Sequence, residues 1–189
     1  MKLTVPTMIT LLRIVLIPVL VLVFYLPFKW TNVAAAAIFA FASLTDWLDG
    51  WIARRYNQFS IFGAFLDPVA DKLMVAIALM LTVQKHPTVW MTLWAAVIIG
   101  REIAVSALRE WMAEVGQRAK VKVAGIGKIK TIVQMVALVC LLYQERFLGL
   151  PIFLIGEWLL AAAALLTLWS GMAYLRAAWP TLLADENNS

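Results

Sequence analysis

SLTDWLDGWIARRYNQFSIFGAFLDPVADKL, residues 43–73, holds every aspartate of the chain outside its C-terminal tail: Asp46, Asp49, Asp67 and Asp71. The flanking residues, roughly 33–52 and 68–84, are apolar enough to read as membrane helices, joined by the polar run RRYNQFS. Asp46 and Asp49 are spaced i,i+3, and Asp67 and Asp71 i,i+4, so each pair shares one helical face. A helical hairpin is therefore expected to point four carboxylates at one another. A carboxylate at membrane depth is costly and turns to the bundle interior or a polar cavity. Four together cannot all stay ionised without cations between them. Carboxylate oxygens with no Cys or His nearby suit Mg²⁺ or Mn²⁺ rather than zinc. Gly50, Ala53 and Gly63 lie between the pairs, where small residues let helix backbones or a ligand approach closely. Trp47 and Trp51 fall largely on other faces and read as interfacial anchors. Taken singly, any of these aspartates could instead cap a helix or pair with Arg54, Arg55 or Lys72; four at this spacing favour a shared site.

Outward from this hairpin the chain stays apolar. Of 189 residues 63% are hydrophobic, mean hydropathy is +0.87 and only 14% are charged, which excludes an ordinary soluble globular domain. Apolar stretches at roughly 8–28, 33–52, 68–84, 88–107, 131–146 and 150–175 predict six transmembrane helices. The fourth can run on to about Glu114, and the third begins among charged residues. The expected fold is an all-α integral membrane protein with one catalytic domain over 1–184 and a disordered polar tail at 185–189. The first apolar segment resembles a signal core, with Ala34–Ala37 beyond it. Arg13 and Pro18 interrupt that core, so the segment reads as a retained helix.

Charge sets the orientation. Of the 16 Lys and Arg, only Lys29, Lys85 and Arg146 fall on one side when the six segments are threaded alternately. The positive-inside rule then places both termini, the 53–67 loop and the 109–130 region in the cytoplasm. The net charge of +5 suits anionic lipid headgroups and anionic ligands, and gives no separate reason to expect nucleic acid. One cysteine, Cys140, and one histidine, His86, leave no intramolecular disulfide and no histidine metal site.

The pattern Asp46-x2-Asp49-Gly50-x2-Ala53-Arg54, eight residues, then Gly63-x3-Asp67-x3-Asp71, resembles the signature of the CDP-alcohol phosphatidyltransferase family. The resemblance implies a six-helix membrane enzyme that displaces CMP from a CDP-linked lipid, using divalent metal and an alcohol acceptor. It implies Asp46, Asp49, Asp67 and Asp71 as metal ligands, with Asp71 also the catalytic acceptor of the hydroxyl proton. Asp49, Gly50, Ala53, Arg54, Gly63 and Asp67 would bind the CDP group, the small residues making room for the nucleotide and Arg54 meeting its phosphates. It also implies a homodimer.

A second set of residues bears on the acceptor. Arg101 and Arg109 lie two helical turns apart on one stripe, and Arg101 falls inside an apolar stretch, where an unpaired guanidinium is costly. It needs an anionic partner, either a neighbouring acidic side chain or a ligand phosphate. Arg101, Arg109, Arg118, Lys128 and Lys130 are expected to form a phosphate pocket, whereas Lys120 and Lys122 read as charges facing lipid headgroups. The REI…SALRE…GKIKT pattern and Pro6-Thr7-x2-Thr10-x2-Arg13 are similar to the bacterial members of the family that take glycerol-3-phosphate. This implies CDP-diacylglycerol and glycerol-3-phosphate as substrates and phosphatidylglycerophosphate and CMP as products. It also implies a site at the cytoplasmic face of the bacterial inner membrane. Thr10 and Arg13 are expected near the nucleotide, while Thr7, where many relatives have Asn, is assigned no contact. Inositol phosphate or serine remains an alternative acceptor. A divalent-cation transporter would need a polar path, which the last two apolar segments do not offer, and a structural anchor would leave Asp67 and Asp71 replaceable.

Overall fold

The computed structural model describes residues 4–56, 60–116 and 125–186, without the side chains of Ala53, Arg54, Tyr56, Ile61 and of 125–128 and 181–186. Six helices are present among them: α1 (Val5–Phe24), α2 (Thr31–Tyr56), α3 (Ile61–Lys85), α4 (Val89–Glu114), α5 (Gly125–Tyr143) and α6 (Ile152–Glu186). The expected six-helix membrane bundle is what the chain forms. Windows within α1, α2, α4 and α6 are long and apolar enough to span a bilayer by themselves. By contrast, α3 carries Asp67, Asp71 and Lys72, and the apolar part of α5 is the shorter run Ile129–Tyr143.

Helix ends follow local chemistry more than hydropathy. α1 starts with Pro6 in its first turn, where a missing N–H costs nothing. α3 starts seven residues before its apolar core because the Ser60 hydroxyl accepts the Gly63 N–H at 2.9 Å, an N-cap. Thr88 caps α4 on Met91 N–H in the same way at 3.2 Å. α2 extends past residue 52 through the basic run to Tyr56, and α4 reaches Glu114. Two expectations are corrected. The fifth span stops at Tyr143 rather than 146, because Leu148 (φ 51°) and Gly149 (φ 81°) turn a small hairpin pairing β1 (Arg146–Phe147) with β2 (Leu150–Pro151). The tail expected to be disordered from Asp185 is helical through Glu186; residues 187–189 lie outside the described residues.

The packing order positions the site. α1 lies against both α2 and α3, whereas α2 and α3 touch little; α5 packs on α6 and α2, and α4 on α6. The second and third helices therefore do not form the close hairpin expected from their connection: α1 is wedged between them. Pro6, Thr7, Thr10, Arg13, Ile17, Leu20 and Phe24 are the buried positions of α1, recurring every three or four residues along one face. Ile17, Leu20 and Phe24 join Phe39, Leu79, Ile98, Leu138, Leu141 and Leu160 in one core. Outward-facing Val15, Leu22, Trp90, Trp158 and Trp169 leave an apolar surface for lipid.

Candidate active site

Arg13 is the hub of the site. It lies halfway along an apolar helix, is only 2% exposed, and meets carboxylates from both neighbouring helices. Nη1 donates to Asp46 Oδ1 at 2.7 Å and to Asp71 Oδ1; Nη2 donates to Asp49 Oδ2 at 2.5 Å and lies 3.7 Å from Asp67 Oδ1. The four aspartates singled out by spacing are thus gathered, though around a guanidinium rather than around one another. Asp49 is buried, whereas the side chains of Asp46, Asp67 and Asp71 are 37–39% exposed, so the cluster has a dry floor and an open mouth.

One turn earlier on α1, the Thr10 hydroxyl donates to Asp67, with the Pro6 carbonyl 3.1 Å away. Thr10 and Arg13 together clamp α1 onto the acidic ends of α2 and α3. Behind them runs a hydroxyl chain, Thr4 Oγ1 to Thr7 Oγ1 at 2.9 Å and Thr7 Oγ1 to Ser60 Oγ at 2.7 Å. Thr7, assigned no contact from sequence, is therefore a buried link between α1 and the cap of α3. Gly63 explains the closeness: a Cβ there would lie 2.8 Å from Thr7 Oγ1 and 2.9 Å from Ser60 Oγ. On its Cβ side Gly63 is thus closely met by α1 and the α3 cap. Gly63→Val is expected to push α1 off α3 and destabilise the fold by about 2 kcal/mol. Thermal unfolding in detergent checks this; a wild-type midpoint would show that the close approach is not needed.

The donor set fits a hard divalent cation. Four carboxylates against one guanidinium leave a formal charge of −3 (four negative, one positive) when all are ionised, all ligand atoms are oxygen, and three of the four side chains face the open mouth. Among the described residues no three acidic, His or Cys side chains are already gathered at metal-holding separation. Arg13 lies among the carboxylates and donates to three of them.

The basic residues expected to form one phosphate pocket divide. Arg101 turns from α4 to α6: its Nη2 donates to Ser170 Oγ at 3.0 Å, and its guanidinium carbon lies 5.5 Å from the centre of the Tyr174 ring. Lys130 is buried and donates to Glu102 Oε1 at 2.6 Å, so the carboxylate next to Arg101 in sequence is engaged by Lys130. Arg109 is exposed on the last turns of α4. Arg118 lies outside the described residues, as do the side chains of Lys128, Arg54 and Ala53, whose backbones are helical; Gly50 is half-buried on α2.

Membrane helices that bring this aspartate signature to one acidic cluster define a class, and residues 3–169 match it: the chain belongs to the CDP-alcohol phosphatidyltransferase family. Its relatives narrow the comparison. A Pseudomonas fluorescens protein is 56% identical over 182 residues, 96% of this chain and 93% of its own length. Proteins of Salmonella choleraesuis (strain SC-B67) and Escherichia coli (strain K12) are each 52% identical over 187 residues, 97% of this chain and 99% of theirs. All three are named CDP-diacylglycerol–glycerol-3-phosphate 3-phosphatidyltransferase.

Proposed function

We propose that this chain is a multi-pass membrane enzyme that transfers the phosphatidyl group of CDP-diacylglycerol to glycerol-3-phosphate, giving phosphatidylglycerophosphate and CMP. The observation that carries the reading is the convergence of Asp46, Asp49, Asp67 and Asp71 on one open, negatively charged cluster in a chain similar to such enzymes over nearly its whole length. The proposal includes Mg²⁺ or Mn²⁺ held by these four carboxylates. When bound, such an ion supplies positive charge that orients the diphosphate and stabilises departing CMP.

The chain's own groups do the rest. Asp71 accepts the proton of the acceptor hydroxyl, whose oxygen bonds to the phosphorus carrying diacylglycerol while the phosphoanhydride bond to CMP breaks. Thr10 holds Asp67 in place, and Arg13 fixes the directions of Asp46, Asp49 and Asp71 from below. Gly50 and Ala53 leave room for the nucleotide, and Arg54 meets its phosphates. Gly63 leaves room for the nucleotide as well, and also lets α1 reach α3. Arg101, Arg109, Arg118, Lys128 and Lys130 meet the phosphate of the acceptor, Lys130 being also ion-paired with Glu102 of α4. The distribution of Lys and Arg supports a site opening to the cytoplasm and the adjoining leaflet of a bacterial inner membrane, with both termini on that side. There a water-soluble acceptor and a lipid donor can meet. A homodimer completes the proposal.

The test is CMP release by the purified chain in detergent with CDP-diacylglycerol and Mg²⁺. Glycerol-3-phosphate, inositol phosphate and serine are compared as acceptors. Release is expected with glycerol-3-phosphate and lost on chelation. Preference for another acceptor would overturn the substrate assignment, and undiminished release in excess chelator would overturn the metal.

A further inference from the structure

Arg101, partly buried on α4, is held by α6 at its end, its stem and its plane. The Ser170 hydroxyl has one proton, and it is committed to the Thr167 carbonyl at 3.0 Å. Its lone pair is thereby aimed at Arg101 Nη2, 3.0 Å away. Gly171 clears the path for the side chain: a Cβ there would lie 3.2 Å from Arg101 Cγ and 3.6 Å from Nε. Tyr174, one turn further, lies with its ring 5.5 Å from the guanidinium carbon, within cation–π range. Three consecutive features of one α6 face, a hydroxyl, a gap and a ring, thus fit the end, the stem and the plane of a single guanidinium.

Satisfaction is incomplete in an informative way. Among the described residues Arg101 Nε and Thr167 Oγ1 are buried without hydrogen-bond partners, and Ser170 is the one hydrogen-bond partner of Arg101. A buried guanidinium N–H left open calls for a ligand or water that completes it. Among the described residues no carboxylate hydrogen-bonds Arg101: Glu102, its neighbour in sequence, is engaged by Lys130. A guanidinium oriented by neutral groups keeps its full charge available to an anion, whereas one closed into an ion pair would not.

We propose that Ser170, Gly171 and Tyr174 of α6 are positioning residues that aim Arg101 at the phosphate of the acceptor alcohol, making the α4–α6 contact a determinant of acceptor affinity. This rests on the function proposed above. Lipid donor and acceptor are then read by different parts of the bundle, the donor by the aspartate ends of α2 and α3 and the acceptor phosphate through an arginine set by α6.

The test is steady-state CMP release by the full chain in detergent micelles, with either substrate saturating, beside thermal unfolding of each variant. Ser170→Ala is expected to raise KM for glycerol-3-phosphate about tenfold. Its kcat, its KM for CDP-diacylglycerol and its unfolding midpoint should stay near wild type. Ser170→Thr, which keeps the hydroxyl, should recover most of the affinity. Gly171→Ala removes no hydrogen bond and should still raise the acceptor KM, by displacing the Arg101 stem. An unchanged acceptor KM in Ser170→Ala and Gly171→Ala overturns the proposal. So does a fall in kcat and unfolding midpoint with no selective change in acceptor KM, which would mark a purely structural contact. Arg101→Gln separates this from the reading beneath it. If Arg101→Gln raises the acceptor KM and the α6 variants do not, only the positioning role fails. If Arg101→Gln leaves acceptor KM unchanged, the phosphate role of Arg101 fails with it.

Discussion

Asp71→Asn lowers CMP release by roughly three orders of magnitude, within the range for loss of a general base, and leaves the protein folded. Asn keeps the shape and an oxygen that can accept from Arg13 Nη1, so the contact between α1 and α3 survives. What it loses is the negative charge and the basicity. The first weakens any cation held by the cluster and the second removes the proton acceptor. Both effects fall on turnover rather than on folding. The check is kcat beside the thermal unfolding midpoint in detergent. More than about a tenth of wild-type turnover would exceed what loss of a general base allows and would remove Asp71 from that role.

Arg13→Leu is expected to have the largest effect on stability. Its guanidinium reaches three carboxylates by hydrogen bonds and a fourth at 3.7 Å, from a side chain that is 3% exposed. Removing one partner of a buried charge network costs about 3–5 kcal/mol, because charges are left uncompensated. Asp49 bears most of that loss, since it is the buried member of the cluster. In chelator the variant should therefore unfold well below wild type. Mg²⁺ should raise its midpoint by more than it raises that of wild type, because a divalent ion can replace the missing charge between the same oxygens. Arg13→Lys should fall between, since an ammonium carries the charge but cannot reach several carboxylates with a planar fork. Equal midpoints for Arg13→Leu and wild type in chelator would contradict the hub.

The carboxylate cluster was legible in the sequence because a spacing of three or four residues on a helix is a geometric statement. Asp46 with Asp49 and Asp67 with Asp71 could hardly have faced other directions once the helices were drawn. How the helices are arranged is a different matter. Hydropathy reports which residues lie at membrane depth and says little of which neighbour each face meets, because lipid and protein interior are equally apolar. Hence α2 and α3, adjacent in sequence, read as a hairpin, although α1 lies between them. The signal that could have found this was Arg13 itself, a lone cation inside an apolar helix, which demands an anionic partner at its own depth. The same reasoning applied to Arg101 left its partner open, and Glu102, its neighbour in sequence, serves Lys130 from a helix whose register could not be read in advance. Ser170 and Gly171 gave no sequence signal, because small residues in membrane helices serve close packing everywhere.

The most direct test of the central claim is whether phosphatidyl transfer and CMP release are one event. The purified chain, in detergent with CDP-diacylglycerol, Mg²⁺ and glycerol-3-phosphate labelled in its carbon skeleton, is assayed for CMP in water and label in the extracted lipid. The account predicts label entering lipid in step with CMP and both lost in Asp71→Asn. CMP appearing without label in lipid would make the chain a hydrolase of CDP-diacylglycerol, and labelled lipid formed undiminished by Asp71→Asn would place the chemistry elsewhere.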